Sequence, residues 1–293
     1  MSSEAARRDP SLVRGLTLAD AWRSFRTAIG LGWAVESNWS DPFLFAVYTV
    51  AKPLSAALIL VLMFTIITGG QQGEFLEFLI VGSALWQVVF GVMGGLVLSI
   101  LEDRERYRMM KYVVVTPASL FPFLLGRSLS RVLISFLAVA ITLAVGVLFL
   151  GVELRPNLPL FALATIVGLP AIMALGIFMA GWCLQLRQEA WAYPEAIAGA
   201  LYLLSGAIFP IDVLPDWLQP ITYALPTTWW LELSRRGLLG QGGPGQMGDL
   251  ATVAVIAALV VTTAIAITIA LVTFAWFLRR ARQLGLLDMV TGG

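Results

Sequence analysis

Histidine is absent from the 293 residues, and cysteine occurs once, as Cys183. The first absence removes Ser-His-Asp and Cys-His catalysis and histidine-ligated zinc hydrolysis. The second removes any internal disulfide and leaves one thiol in apolar surroundings, where it reads as a small buried hydrophobe. Lysine is nearly absent too. Lys52 and Lys111 stand alone and neither follows a glycine, so the phosphate-cradling loop that ends in Gly-Lys-Ser/Thr cannot be placed anywhere. ATP chemistry is therefore not expected from this chain, which binds no cofactor of its own. Charge is scarce in general, at 13% of residues with a net of +1, and gives no broad attraction for nucleic acid.

Apolar residues make up 59% of the chain, against about 45–50% in soluble domains, and the mean hydropathy is +0.85. Long apolar runs fall at 42–68, 75–101, 119–150, 159–184, 193–209 and 249–278. Most exceed the roughly 20 residues that cross about 30 Å of hydrocarbon. The expected fold is an all-α integral membrane protein with six transmembrane helices occupying 41–293, preceded by a 1–40 segment. That segment opens on "MSSEAARRDPSLVRG", which carries charge but no apolar core, and it reads as a cytosolic tail rather than a cleaved signal.

Orientation follows from the basic residues. With the N-terminus inside, all of the 19 Lys and Arg except Arg155, Arg235, Arg236 and Lys52 fall on inner segments. Both termini are then cytosolic. Before the first run, "TLADAWRSFRTAIGLGW" sets Leu18, Trp22, Phe25, Ile29 and Trp33 at spacings of three and four, with Asp20, Arg23 and Thr27 opposite. This predicts an N-terminal amphipathic surface helix, lying on the membrane or packed on a partner, and Thr17 with Asp20 fits a capping box. Trp39, Tyr48, Trp191, Tyr193, Trp217, Tyr223, Trp229, Trp230 and Trp276 cluster near predicted boundaries as interface anchors.

The inner loop 102–117 is dense in mixed charge, with Glu102, Asp103, Arg104, Glu105, Arg106, Arg108 and Lys111 ahead of a Thr116–Pro117 break. It is long enough for a short helix that docks on another protein, and it also suits a solvated loop that only fixes topology. Lys52 lies about ten residues into the first run, roughly 15 Å from its inner end at 1.5 Å per residue. It can snorkel, pair with Glu195 at the inner end of the fifth run, or meet a substrate. Pro53 and Pro170 are candidate kink positions.

The stretch "LSGAIFPIDVLPDWLQPITYALPTTWWLELSRRGLLG", with Ser205, Gly206, Phe209, Pro210, Leu214, Pro215, Trp217, Leu218, Leu225, Pro226 and Arg235, is the most specific pattern in the chain. Together with the surface helix, six runs and Thr116, Pro117, Gly126 and Arg127, it resembles the membrane-spanning permease of type-two ABC exporters, over nearly the whole length. The resemblance implies a half-transporter in the bacterial inner membrane. A second permease copy, identical or homologous, packs against it, and each copy rests on a separate cytosolic ABC ATPase that holds ATP and Mg. Glu102, Asp103, Arg104, Glu105, Arg106, Arg108 and Lys111 would then form the coupling element in a groove of that ATPase. The 210–236 region would hold short re-entrant outer helices, with Phe209, Pro210, Pro215, Trp217 and Pro226 as an outer gate. The expected cargo is an amphiphilic drug, lipid or glycan-type substrate moved outward by alternating access, and the run Leu31, Gly32, Trp33, Glu36, Ser37, Asn38, Trp39 departs from the glycan-exporting branch, which favours the first two.

Within the 210–236 region, Ile221–Leu233 is too short and too polar for a seventh span. Pro215–Gln219 is expected to form one short helix that stops before Pro220, and a second is expected to begin at Pro226. Arg235 and Arg236 are expected at the outer surface, near headgroups or the pathway's mouth. "GQGGPGQMG" at 240–248 reads as a linker into the last helix. Two readings from other classes compete: a membrane-embedded lipid-modifying enzyme using Asp212, Asp216 and Glu232, and an ion-coupled secondary transporter.

Overall fold

The computed structural model describes residues 18–37, 74–106, 120–186 and 192–284, with isolated helical positions between 51 and 66. Among these residues every regular element is helical. In chain order they are α1 (Leu18–Ser37), α2 (Glu74–Leu101), α3 (Leu120–Leu150), α4 (Leu158–Cys183), α5 (Ala192–Leu204), α6 (Gln219–Ala224), α7 (Pro226–Leu239), α8 (Gln246–Asp249) and α9 (Thr252–Gln283).

Among the described residues four segments are long and apolar enough to cross a membrane: Phe75–Arg104, Ser128–Leu150, Leu158–Cys183 and Thr252–Ala281. The first expected run and Lys52 fall outside the described residues, isolated positions apart. The fifth gives a helix of 13 residues that ends at Leu204 rather than at 209. The helix stops there because Gly206 turns the chain at φ 71, a left-handed conformation that glycine adopts without a side-chain clash.

α2 is apolar on every side, which is the pattern of a helix enclosed by others. Val81, Ala84, Leu85, Val88, Val89, Val92, Met93 and Val97 are fully buried, with α3, α4, α5 and α7 packed around them. α1 crosses α3 through its small residues: Ala28 is buried, and the Ser130 hydroxyl donates to the Ile29 carbonyl at 3.1 Å. Trp22 and Trp33 stay on the exposed side of α1, 63% and 53% accessible. Pro170 lies inside α4 without ending it.

At the other end of α2 the chain tightens into a π-helical turn, Glu102–Arg106. Asp103 and Arg104 are buried there, and Arg104 Nη1 donates to the Cys183 carbonyl at the end of α4. Gln185 just beyond donates to the Phe277 carbonyl at 2.8 Å, so the ends of α2, α4 and α9 are joined.

α7 differs from every other short element. From Pro226 to Leu239 all of its residues except Trp229 are buried, enclosed by α2, α4 and α9. It starts on Pro226, whose missing N–H is no loss in a first turn, and stops where Gly240 takes φ 76. Its last carbonyls are satisfied from outside: Asn157 N–H donates to Gly237 O at 2.7 Å and Arg155 N–H to Leu238 O at 2.9 Å. At Gly237 an added Cβ would meet the Phe161 backbone, its N at 2.8 Å and its Cα at 2.9 Å. Gly237→Ala is therefore expected to lower stability by about 1–3 kcal/mol, read as a fall in the unfolding midpoint in detergent; no change would mean that α7 and α4 can separate freely.

Candidate functional site

Beyond Leu204 the chain is punctuated by proline, and the order of its helices departs in part from the sequence reading. The first short helix is Gln219–Ala224, not Pro215–Gln219. Pro220 sits in its first turn instead of stopping it, because a proline costs a helix nothing where the N–H has no partner anyway. Residues 215–218 form a turn ahead of it, closed by Leu218 N–H on Pro215 O. The second helix begins at Pro226. Between the two, Trp229 Nε1 donates to the Tyr223 carbonyl at 2.8 Å.

The largest departure concerns Arg235 and Arg236, which are not at a surface. They are 3% and 6% exposed. A buried guanidinium must find partners for its donors, and consecutive residues on a helix point about 100° apart, so the two reach different walls. Arg235 Nη2 donates to the carbonyls of Gly206 and Ala207, at 2.8 and 2.9 Å, and its guanidinium lies 3.7 Å from the Phe78 ring centroid.

Arg236 faces the other way. Its Nε donates to Glu232 Oε1 at 2.8 Å, one helical turn back. Its Nη1 donates to Leu250 O and Thr252 Oγ1, and its Nη2 to Met247 O and Gly248 O, at 2.7 to 3.1 Å. Glu232 also accepts from Gly243 N–H at 3.3 Å. Asp212 accepts from Gln246 N–H at 2.7 Å, joining the turn at Ile211–Val213 to the start of α8. The two arginines thus make α7 a strut: one holds the exit of α5, the other holds the entry to α9. The Gly-rich piece 240–248 is bound to the strut rather than being a plain linker.

The remaining sequence candidates divide by place. Pro226 is buried, Phe209 and Pro210 are half-buried, and Pro215 and Trp217 are exposed, Trp217 at 73%. Glu195 is exposed in the first turn of α5. Of the charged run, Glu102 is half-buried and Asp103 and Arg104 are buried. The side chains of Glu105 and Arg106, and all of Arg108, Lys111, Thr116 and Pro117, lie outside the described residues. The sequence reading missed the buried character of Glu232, Arg235 and Arg236. One signal was present: Glu232 and Arg236 stand four apart in the order that favours pairing on a helix.

The family model for the ABC-2 type transporter matches residues 31–239. The chain belongs to the ABC-2 type transporter family. The match runs from within α1 to the last residue of α7, so α7 lies within it. Two relatives from Escherichia coli strain K12 agree. The protein named "Probable multidrug ABC transporter permease YbhR" is 22% identical over 146 residues, 50% of this chain and 39% of the relative. The one named "Inner membrane transport permease YhhJ" is 25% identical over 138 residues, 47% of this chain and 36% of the relative. The matched portion thus spans well under half the length of each relative. Membership of this family, with the apolar helices, makes the chain a multi-pass membrane protein.

Proposed function

We propose that the chain is the permease subunit of an ATP-driven exporter. It forms the substrate pathway with a second permease copy, and a separate cytosolic ABC ATPase supplies the energy from ATP and Mg. The observation that carries this is the strut inside the family match. A short helix buried on nearly every side and bonded to the exit of α5 and the entry of α9 is suited to move as one body with both, as an alternating-access gate must.

In this reading α6 and α7 re-enter the outer leaflet. Their backbone tolerates that depth because neighbouring protein satisfies it, as the bonds from Asn157 and Arg155 to the end of α7 do. Phe209, Pro210, Pro215, Trp217 and Pro226 line the outer gate, α1 lies along the cytosolic membrane surface through Trp22 and Trp33, and both termini are cytosolic. The cargo is a drug-like or lipid-like amphiphile. Two of the three carboxylates that a lipid-modifying enzyme would need are engaged otherwise, Glu232 with Arg236 and Asp212 with Gln246, which leaves Asp216 alone at the exposed turn.

Coupling falls to the charged run. Asp103 and Arg104 are buried within this chain, and Arg104 is bonded to the end of α4, so contact with the ATPase is assigned to the rest of the run, Glu105, Arg106, Arg108 and Lys111. Replacing 105–111 by Gly-Ser, with 102–104 kept, is expected to weaken ATPase co-purification at least about tenfold, roughly 1.4 kcal/mol, and to abolish ATP-driven transport in vesicles. Unchanged complex formation and activity would overturn the assignment.

A further inference from the structure

The two arginines of the strut are neutralised differently. Arg236 has the Glu232 carboxylate at 2.8 Å, whereas no carboxylate among the described residues is in ion-pair contact with Arg235, 3% exposed, so two buried cations share one anion. We propose that Arg235 is the recognition point for an anionic head, phosphate or carboxylate, on the amphiphile carried along this pathway; the assignment deepens the transporter reading above and rests on it.

A cation removed from water without a counter-charge costs several kcal/mol, and an anionic group brought beside it offsets that cost. Within an apolar helical assembly such a residue calls for a functional partner. The structure leaves Arg235 donors for one. Nη2 is used by the two carbonyls, but Nε is buried with no hydrogen-bond partner. Two hydroxyls on the chain segments that meet Arg235 are also buried and unpartnered, Ser205 Oγ and Thr228 Oγ1, each 1% exposed. Ser205 directly precedes the Gly206 carbonyl that Arg235 holds. Thr228 lies two turns before Arg235 on the same side of α7, the direction in which long helical side chains lean. A planar guanidinium and free hydroxyls are donor chemistry for phosphate or carboxylate oxygens.

Access is through Phe78. Its ring stacks on the guanidinium, and it also lines an open pocket with Leu239 and residues 241–244. A head entering that pocket meets Phe78 first and Arg235 once the ring swings aside. The unpartnered Nε and hydroxyls belong to the closed arrangement seen here, and the head satisfies them when it arrives.

The test uses the purified full chain in a neutral maltoside detergent, without nucleotide or ATPase, and measures binding of dodecyl phosphate, dodecyltrimethylammonium and inorganic phosphate. Saturable binding of dodecyl phosphate is expected, with the cationic amphiphile and the free anion at least about tenfold weaker. Arg235→Gln is expected to weaken dodecyl phosphate about tenfold or more, and Arg235→Lys by less, because the charge remains while the fork is lost. Ser205→Ala combined with Thr228→Val keeps Arg235 and its carbonyl bonds. It is expected to weaken binding about threefold to tenfold without lowering the unfolding midpoint of the unliganded protein.

Equal binding by native protein and Arg235→Gln overturns the proposal, as does equal affinity for the cationic amphiphile. Inorganic phosphate bound as tightly as the alkyl phosphate marks a free-anion site and overturns the amphiphile assignment. If Arg235→Gln does not fold, full binding by the double hydroxyl variant is the overturning result. Since no ATPase is in this assay, its outcome is independent of the coupling test on residues 105–111.

Discussion

Replacing Arg236 with methionine is expected to lower the stability of the protein by about 3–5 kcal/mol, the largest loss of any single charge deletion on α7. The size follows from what is left behind. Glu232 would keep its carboxylate at 3% side-chain exposure with only Gly243 N–H, at 3.3 Å, to meet it. The carbonyls of Met247, Gly248 and Leu250 and the Thr252 hydroxyl would lose the donors that Arg236 supplies, so the entry to α9 would come free. Glu232→Gln leaves the opposite defect, a buried cation, but that cation keeps its four other acceptors, and its loss is expected to be smaller. The double variant Glu232→Gln, Arg236→Met is expected to lose less than the sum of the two singles, because a buried pair removed together leaves no lone charge. The check is the denaturant midpoint of each variant in the same detergent. A loss below about 1 kcal/mol for Arg236→Met would show that Arg236 does not hold the strut.

That prediction could not have been written from the sequence, and the reason is specific. Charge in a membrane protein is read through topology: basic residues on the outer side stand out as exceptions, and a surface position is the cheapest way to accommodate them. What placed Arg235 and Arg236 inside was a set of backbone carbonyls from 206, 207, 247, 248 and 250, and carbonyls carry no residue code. α7 also carries an amphipathic pattern, which points to a helix with one face at a surface, whereas its polar and apolar residues are buried alike. By contrast, α2, α3, α4 and α9 were legible because an unbroken apolar run has little other use. The start of α7 at Pro226 was legible, and the start of α6 was not, because proline both ends and begins helices and Pro220 does the second. In the charged run the sequence located Asp103 and Arg104 at the right end of α2 but could not show that they turn inward.

Trp230 carries the second large prediction. It is fully buried at the contact of α7 with α4, where its ring fills the space a side chain at Gly168 would take. Trp230→Ala is expected to cost about 3–5 kcal/mol, from lost burial and the cavity left behind. Trp230→Phe is expected to cost far less. The indole Nε1 has no hydrogen-bond partner, so phenylalanine removes an unsatisfied buried donor along with some volume, and the two effects oppose each other. On the other wall, Gly168→Val puts atoms where the indole lies and is expected to destabilise by at least about 1–3 kcal/mol. If ring and glycine are one complementary contact, Trp230→Leu should recover part of the Gly168→Val loss, whereas additive losses would place the damage elsewhere in α4. The same pair separates stability from gating. A variant with its unfolding midpoint restored and ATP-driven transport still lost would mean that the Trp230 ring must slide on Gly168 during the cycle. Transport that returns with the midpoint would make the contact a fixed joint, with α4 and α7 moving together.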